Sequence, residues 1–372
     1  MQREHLTVPV KIGFVLLSSA RNPIPSTRIS VLNMLPFLRN AQFDPEIVFE
    51  STQNTETPDM HGLAARIKNE GFEIVFFQKV HGPSVVAQAR ELRANGIKTV
   101  FGVCDAVEPE MVEATDVTVT VTDYLKSLYP GALQSRIVTV HDGIERPWLH
   151  KSDWGTPSRS RTQPLRAVLV TSSSLDRLPV LANPPSWLHV TIVGRYSSTS
   201  ETLQRWRETR WQLADQAGWR EKLRYLNFLT NPRIQRVAWE ADGVYDAMQQ
   251  ADVGIIPVET DPARGALSRW QVKSENRLTM KMAMGLPVIA TPIPAYEPVI
   301  RQGQNGFLAH NRAEWLSYLS ALRDPGLRQS IGQQARQTAL AAYSMERQAE
   351  KLISVLRGLL EPLEQKNPAI WS

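Results

Sequence analysis

Cysteine is almost absent from this sequence, and long apolar runs are absent altogether. Its 372 residues include one cysteine, Cys104, which excludes an internal disulfide framework and a cysteine-based zinc cluster. Cys104 lies in an apolar run, so we expect a buried thiol without a chemical role. No segment reaches the roughly 20 apolar residues that a spanning helix needs, and no secretory signal precedes the first apolar stretch. These absences predict a soluble cytoplasmic protein.

Motifs for a dinucleotide, a metal ion and nucleic acid are missing as well. Residues 18–23, which follow the first apolar run, contain no glycine, so the phosphate loop of a Rossmann dehydrogenase is excluded. The seven histidines are scattered without metal-ligand spacing, and we expect neither a metal ion nor another cofactor. A net charge of +5 is mild for this length and accompanies no nucleic-acid-binding motif, so nucleic acid is not an expected partner.

The chain is long enough for two domains, and its apolar pattern predicts two. Short apolar runs alternate with amphipathic segments, which predicts parallel sheets covered by helices on both faces. We predict one domain over residues 1–150, a polar linker over 151–164, a second domain over 165–342 and a last helical segment over 343–372. The predicted strands are 12–17, 45–49, 73–77, 98–103, 115–122, 136–140, 167–170, 188–193, 222–229, 253–257, 287–290 and 306–309; the predicted helices are 30–39, 60–69, 84–95, 312–322, 325–343 and 345–360.

Basic residues and tryptophans interleave between Arg205 and Arg224. A helix bearing Trp206, Trp211 and Trp219 among arginines is suited to an anionic membrane surface. The interpretation that we favour is a solvated helix whose tryptophans pack inward. Peripheral contact with the inner face of the membrane stays open as the alternative.

An ordered series of motifs runs through the second predicted domain, at residues 251–309. It contains a short apolar strand that ends in proline, a Lys-Ser-Glu-Asn-Arg segment, a helix that ends before Gly-Leu-Pro, a Val-Ile-Ala strand and a late Asn-Gly turn. These motifs occupy residues 251–257, 273–277, 282–287, 288–290 and 305–306.

This series resembles the donor-binding half of retaining GT-B glycosyltransferases of the group 1, or family 4-like, class. The resemblance implies an α/β fold of two Rossmann-like, doubly wound domains that face each other across a cleft, with the C-terminal helix returning to the first domain. It also implies a hexosyltransferase that moves a sugar from a nucleoside diphosphate sugar, with retention, in polysaccharide or glycoconjugate assembly. A sugar, a lipid-linked compound and a protein all remain open as the acceptor. The chain contains no Asp-x-Asp, the motif of the other major transferase fold.

The helix within this series has the chemistry of an anion site. Ser274 is predicted to cap a helix over 275–284, and Gly285 to end it in the left-handed conformation. The helix amides and the cations Lys273 and Arg277, one turn apart, suit a diphosphate. Since they would stabilise the departing nucleotide, Lys273 is predicted to be catalytic as well as donor-binding.

The first predicted domain supplies candidates for the acceptor side. Pro-Ser-Thr-Arg at residues 25–28 is similar to a proline-serine-x-arginine loop of some of these transferases, and we predict that Arg28 and Arg21 reach a phosphate or an anionic acceptor. Lys79, His81 and Asp105 follow predicted strands, at the edge where α/β sheets bind ligands. Lys79 is a predicted acceptor-side residue, and Asp105 or His81 a predicted general base.

The sequence departs from the family pattern at two glutamates. Their places are taken by Val272 and Met280, so recognition of the nucleotide ribose is in doubt. Nearby residues offer substitutes on the donor side: Glu259, Asp261 or Glu275 for the ribose, Glu297 near the sugar, and Arg177 and Arg195 for the diphosphate. The missing pair keeps a catalytically silent binding subunit open, and a sugar-nucleotide epimerase or phosphorylase on the same fold is a further alternative.

Overall fold

The computed structural model describes residues 8–155, 163–171, 180–181, 183–194, 202–214, 216, 218–258 and 270–361. The chain divides into two compact units. The first unit comprises Met1–Glu145, Val272–Ser274 and Tyr343–Ser372, and the second comprises Arg146–Gln271 and Glu275–Ala342. Half of the predicted linker, 156–162, lies outside the described residues, so its bounds stay a prediction.

The first unit is built on a parallel six-stranded sheet. Its strand order is β2-β1-β3-β4-β5-β6, so the chain adds β2 on one side of β1 and then β3 on the other. The direction of winding therefore reverses between β1 and β3, and ligands of such sheets bind beyond the carboxyl ends at this reversal. The strands are β1 (Val10–Leu16), β2 (Phe43–Glu50), β3 (Ile74–Gln78), β4 (Lys98–Val103), β5 (Val117–Thr120) and β6 (Ile137–Thr139).

Helices cover both faces of the first sheet. One apolar cluster joins the sheet to α3, α4 and α5, and a second joins its other face to α2 and the C-terminal helix α14. Leu352, Val355 and Leu356 of α14 are buried in that second cluster, as the resemblance implies for the last helix. The helices of this unit are α1 (Pro25–Thr27), which continues as a π-helical turn (Arg28–Leu32), α2 (Leu35–Asn40), α3 (Leu63–Asn69), α4 (Pro83–Ala94), α5 (Pro109–Ala114), α6 (Asp123–Ser127), α7 (Gly131–Gln134) and α14 (Met345–Leu360).

The second unit repeats this plan with the strand order β12-β11-β10-β7-β8-β9, again all parallel. Its winding reverses between β7 and β10, which places the expected ligand edge at the ends of those two strands. The strands are β7 (Leu165–Val170), β8 (Leu188–Gly194), β9 (Ile234–Ala238), β10 (Val253–Ile256), β11 (Val288–Ala290) and β12 (Phe307–Leu308); the helices are α8 (Thr202–Ala214), α9 (Trp219–Thr230), α10 (Gly243–Gln250), α11 (Asn276–Ala283), α12 (Arg312–Ala321) and α13 (Pro325–Tyr343).

These elements confirm the predicted α/β class and correct two details. Residues 222–229, predicted as a strand, lie in helix α9, and the strand that pairs with β8 is β9, which follows α9. The predicted helix 30–39 is interrupted after the π-helical turn and resumes at Leu35. Within the described part of the chain, no helix is long and apolar enough to cross a membrane.

Candidate active site

A buried polar network fixes the loop after β1 at the reversal point of the first unit. The Gln78 side-chain oxygen accepts hydrogen bonds from the Leu17 amide at 3.1 Å and from the Thr27 hydroxyl at 3.0 Å. The Ser18 hydroxyl donates to Thr27 at 2.8 Å. Because these groups are buried, losing one partner would leave another unsatisfied, which costs about 1–3 kcal/mol. The network therefore holds the end of β1 against the end of β3.

Lys79, the residue after β3, has an uncommon backbone conformation. Its φ is +62°, a left-handed value that few residues other than glycine adopt. The Lys79 amide donates to the Gly102 carbonyl at 2.7 Å, and its ammonium reaches Asp105 and Glu56, each at 2.8 Å. Burial by itself lowers the pKa of Lys79, but the neighbouring Cys104 and the hydrogen bonds to the two carboxylates raise it above its ordinary value. Lys79 is thus held as a cation at the sheet edge.

Asp105 joins this lysine to a second one. Its carboxylate lies 2.8 Å from the Lys79 ammonium and 2.5 Å from the Lys273 ammonium. Burial alone would raise the pKa of Asp105, yet the two ammonium groups lower it to about 2. With Glu56 on the other side of Lys79, two carboxylates face two ammonium groups, so the charges of this cluster balance.

This geometry bears on the two predicted general bases. A carboxylate with a pKa of about 2 accepts a proton poorly at neutral pH, so the ion pairs disfavour Asp105 as the base and favour it as the group that orients two lysines. The His81 ring lies 3.5 Å from Glu108 and 3.8 Å from Glu56. His81 therefore stands among carboxylates, and its catalytic role stays a prediction.

The other predicted residues of the first unit are engaged in polar contacts or exposed. Arg28 makes a two-point contact with Glu145, at 2.7 and 3.1 Å. Ser274 donates to Asp142 at 2.7 Å and makes no cap hydrogen bond to a helix, so the predicted cap is wrong. Arg21 is exposed, and its amide donates to the Ser19 hydroxyl.

In the second unit, α11 begins three residues after Lys273. It spans Asn276–Ala283 rather than the predicted 275–284, and Gly285 ends it at φ +83°, which confirms the predicted left-handed stop. The guanidinium of Arg277, in the first turn, lies 4.8 Å from the centre of the Trp270 ring. Glu275 is buried at the helix start, which does not suit an exposed ribose contact.

Several predicted donor residues are placed differently or not described. Met280 packs in an apolar cluster of the second unit and Val272 against one of the first unit, so neither position supplies a carboxylate. Glu297 is exposed in a turn after β11. Arg177, Arg195, Glu259 and Asp261 lie outside the described residues.

Sequence reasoning missed the residues that partner the predicted ones. Glu56, Asp142 and Glu145 bind Lys79, Ser274 and Arg28, and none of the three was predicted as a site residue. The buried Tyr296, whose hydroxyl has no hydrogen-bond partner among the described residues, was also missed; burial raises the pKa of Tyr296 to about 12. No group of three or more metal-ligating side chains occurs in the described ranges, and metal independence stays an expectation.

Comparison with known proteins shows which family part of the chain matches and which folds are similar to its own. Residues 175–354 match the model of a family described as Glycosyl transferase-like. The fold is similar to that of a glycosyltransferase from Rickettsia africae (13% identity, 95% of this chain and 99% of that one, TM-score 0.67). It is also similar to sucrose-phosphate synthase from Thermosynechococcus elongatus (12%, 95% and 99%, TM-score 0.66) and to Anabaena HepE in complex with UDP and glucose (13%, 94% and 99%, TM-score 0.62). No curated protein matches the sequence. The chain therefore has the GT-B fold, and residues 175–354 match the glycosyl transferase-like family.

Proposed function

We propose that the protein transfers a hexose from a uridine diphosphate sugar to an acceptor hydroxyl, with retention of anomeric configuration. The observation that carries the donor part is α11, whose first turn bears Arg277 and which follows β10 at the reversal point of the second unit. This segment lies within the residues that match the glycosyl transferase-like family. HepE, which shares the fold, was solved with UDP-glucose, and this supports the uridine nucleotide.

The donor chemistry follows from the start of α11. The amides of the first helical turn are directed at whatever lies before it, and the helix dipole favours negative charge there. Arg277 adds a planar cation suited to a diphosphate. In the proposed reaction the bond from the sugar to the diphosphate breaks, and these groups stabilise the charge that develops on the leaving oxygen.

The acceptor chemistry rests on the cations of the first unit. Lys79 and Lys273, which share Asp105 while Lys79 also pairs with Glu56, can donate hydrogen bonds to a phosphate or another anionic group of the acceptor. Because Asp105 is a weak base, the acceptor proton passes in this proposal to the leaving phosphate rather than to a side chain. The acceptor class, a sugar, a lipid-linked compound or a protein, and a role in polysaccharide or glycoconjugate assembly in the cytoplasm belong to the proposal as well.

Calorimetric titration of the whole chain with UDP, GDP, dTDP and ADP tests the donor site. We expect UDP to bind at micromolar strength, and Arg277→Ala to weaken it about tenfold, or about 1.4 kcal/mol. Arg301→Ala is the matched control, because Arg301 is an exposed arginine of the same unit outside the proposed site. A preference for another nucleotide would replace UDP, whereas no binding by any of the four would refute the transferase and favour a silent subunit.

A turnover assay distinguishes an active enzyme from a silent binding subunit. The silent subunit is the alternative because Val272 and Met280 occupy the positions of the two family glutamates. We expect slow release of UDP from UDP-sugars in water, accelerated by the correct acceptor. Proton NMR of the product then gives the anomeric configuration directly. An inverted product would contradict the proposed retention, and UDP binding without turnover on any acceptor class would favour the silent subunit.

A further inference from the structure

Helix α9 has two apolar faces, of which one is buried and the other is largely exposed. Tyr225 and Phe228 are buried in the core of the second unit. Trp219, Leu223 and Leu226 follow one another at intervals of four and three residues, so they form one stripe on the other side of the helix. Their exposed fractions are 70%, 51% and 41%. A helix on the surface of a globular unit usually buries one apolar face and presents polar residues to solvent. Packing within the unit therefore does not account for the exposed stripe.

Helix α8 carries two further exposed tryptophans. Its Leu213 packs against the core, while Trp206 and Trp211 are 60% and 70% exposed. A hydrogen bond between Tyr225 and Gln212 joins the two helices. Since helical geometry puts Trp206 and Trp211 about 140° apart on α8, they form no common stripe, and we call Trp219, Leu223 and Leu226 of α9 the tryptophan face. The expectation that these tryptophans pack inward is therefore wrong.

The charges around the tryptophan face have mostly one sign. Residues 202–230 include six basic and three acidic side chains. By helical geometry Arg220 and Lys222 lie on opposite sides of the α9 stripe, and both are exposed. The Arg220 and Arg210 guanidiniums lie 5.4 and 5.6 Å from tryptophan ring centres. The surface thus has an apolar centre with cationic flanks.

We propose that the tryptophan face docks on an anionic lipid bilayer, with α9 lying in the plane of the interface. Tryptophan suits the boundary between headgroups and acyl chains because it joins a large apolar ring to one polar N–H. Lysine and arginine flanks add attraction to anionic headgroups. The proposal does not depend on the identity of the sugar donor.

Cosedimentation of the whole chain with vesicles tests the proposal. The vesicles contain phosphatidylcholine alone or phosphatidylcholine with about one-third phosphatidylglycerol, at low and at physiological salt. We expect binding to the anionic vesicles that weakens with salt, and little binding to the neutral ones. A Trp219→Ala, Leu223→Ala double variant should bind at least tenfold more weakly, and Arg220→Gln, Lys222→Gln about fivefold more weakly for each charge removed.

Trp148→Ala is the matched control, because Trp148 is 67% exposed in the same unit but lies outside α8 and α9. All these side chains are exposed, and circular dichroism checks that each variant is folded. The proposal is overturned if wild-type protein does not bind anionic vesicles at low salt, or if Trp148→Ala weakens binding as much as the double variant. It is also overturned if the tryptophan face instead mediates self-association or RNA binding, measured by sedimentation and by filter binding, without lipid affinity.

Discussion

The buried lysine of α11 gives a quantitative prediction about the second unit. Lys281 has no exposed surface, and its stem lies so close to β10 that a Cβ on Gly254 would come within 2.8 Å of it. Its ammonium donates to the Arg277 carbonyl at 3.0 Å, and no carboxylate pairs with it among the described residues. Burial, with a smaller contribution from the Arg277 charge, lowers the pKa of Lys281 from 10.5 to about 7.

The direction of the pH effect follows from this depressed pKa. Between pH 7 and 10.5 the unfolded chain holds a proton on Lys281 that the folded chain has lost, so stability rises with pH across this window. Below pH 7 Lys281 is charged in the folded protein as well, and the free-energy cost of burying its ammonium is constant at its maximum. Replacing Lys281 by methionine removes the penalty and keeps nearly the same shape.

The expected gain in the free energy of unfolding comes from about 1.36 kcal/mol for each pKa unit. Lys281→Met should stabilise the protein by about 4 kcal/mol at pH 7, about 2 kcal/mol at pH 9 and under about 1 kcal/mol at pH 10. Urea denaturation of both proteins at these pH values measures the difference. Lys222→Met, at an exposed lysine of the same unit, should change stability by less than about 0.5 kcal/mol at every pH.

Two results would refute this reasoning. A gain that does not change with pH would mean that methionine improves packing and that the charge of Lys281 has no part in it. A loss of stability at pH 7 would mean that the ammonium has stabilising partners in the folded protein.

Two ion pairs give further predictions. The pKa of Asp105 is about 2 rather than 3.8, so its pairing with Lys79 and Lys273 adds about 2 kcal/mol of stability above pH 4, which is lost as the pH falls from 4 to 2. Urea denaturation should show Asp105→Asn less stable than wild type by about 2 kcal/mol at pH 7 and by roughly half as much at pH 3. Equal losses at both pH values would contradict this. Arg166→Ala leaves the buried Asp252 without its side-chain hydrogen bonds of 2.9 and 3.1 Å. The free energy of unfolding measured in urea should fall by about 2 kcal/mol, which is less than for a fully buried pair because Arg166 is half-exposed. No loss of stability would contradict the pairing.

The fold was largely predictable because its elements follow simple patterns. Strand β4 has the predicted bounds, since a parallel strand buried on both faces appears as a continuous apolar run. Helices α13 and α14 also begin and end where predicted. Proline opens α13, and the Ser344 hydroxyl accepts a hydrogen bond from the Arg347 amide at the start of α14.

The mistaken strand at residues 222–229 has a physical cause. A helix with one apolar face shows a clear period of 3.6, but α9 is apolar on two faces. Tyr225 and Phe228 serve the core, while Leu223 and Leu226 continue the exposed stripe. Because both faces of the helix are apolar, residues 222–229 appear in the sequence as a short apolar run like that of a strand. The feature that misled the prediction is therefore the one from which the membrane surface is inferred.

The candidate site was less predictable because its pairs depend on the path of the chain. The positions of the strand ends predicted that Lys79 and Asp105 lie near the edge of one sheet. Lys79 does follow β3 directly, and Asp105 lies two residues after β4. The prediction for Lys273 assumed that it lies one helical turn from Arg277. Helix α11 begins at Asn276, so Lys273 is outside the helix and helical spacing does not apply to it. Lys273 instead pairs with Asp105, 168 positions away. A pairing between such distant residues is set by tertiary packing, and no local pattern in the sequence carries it.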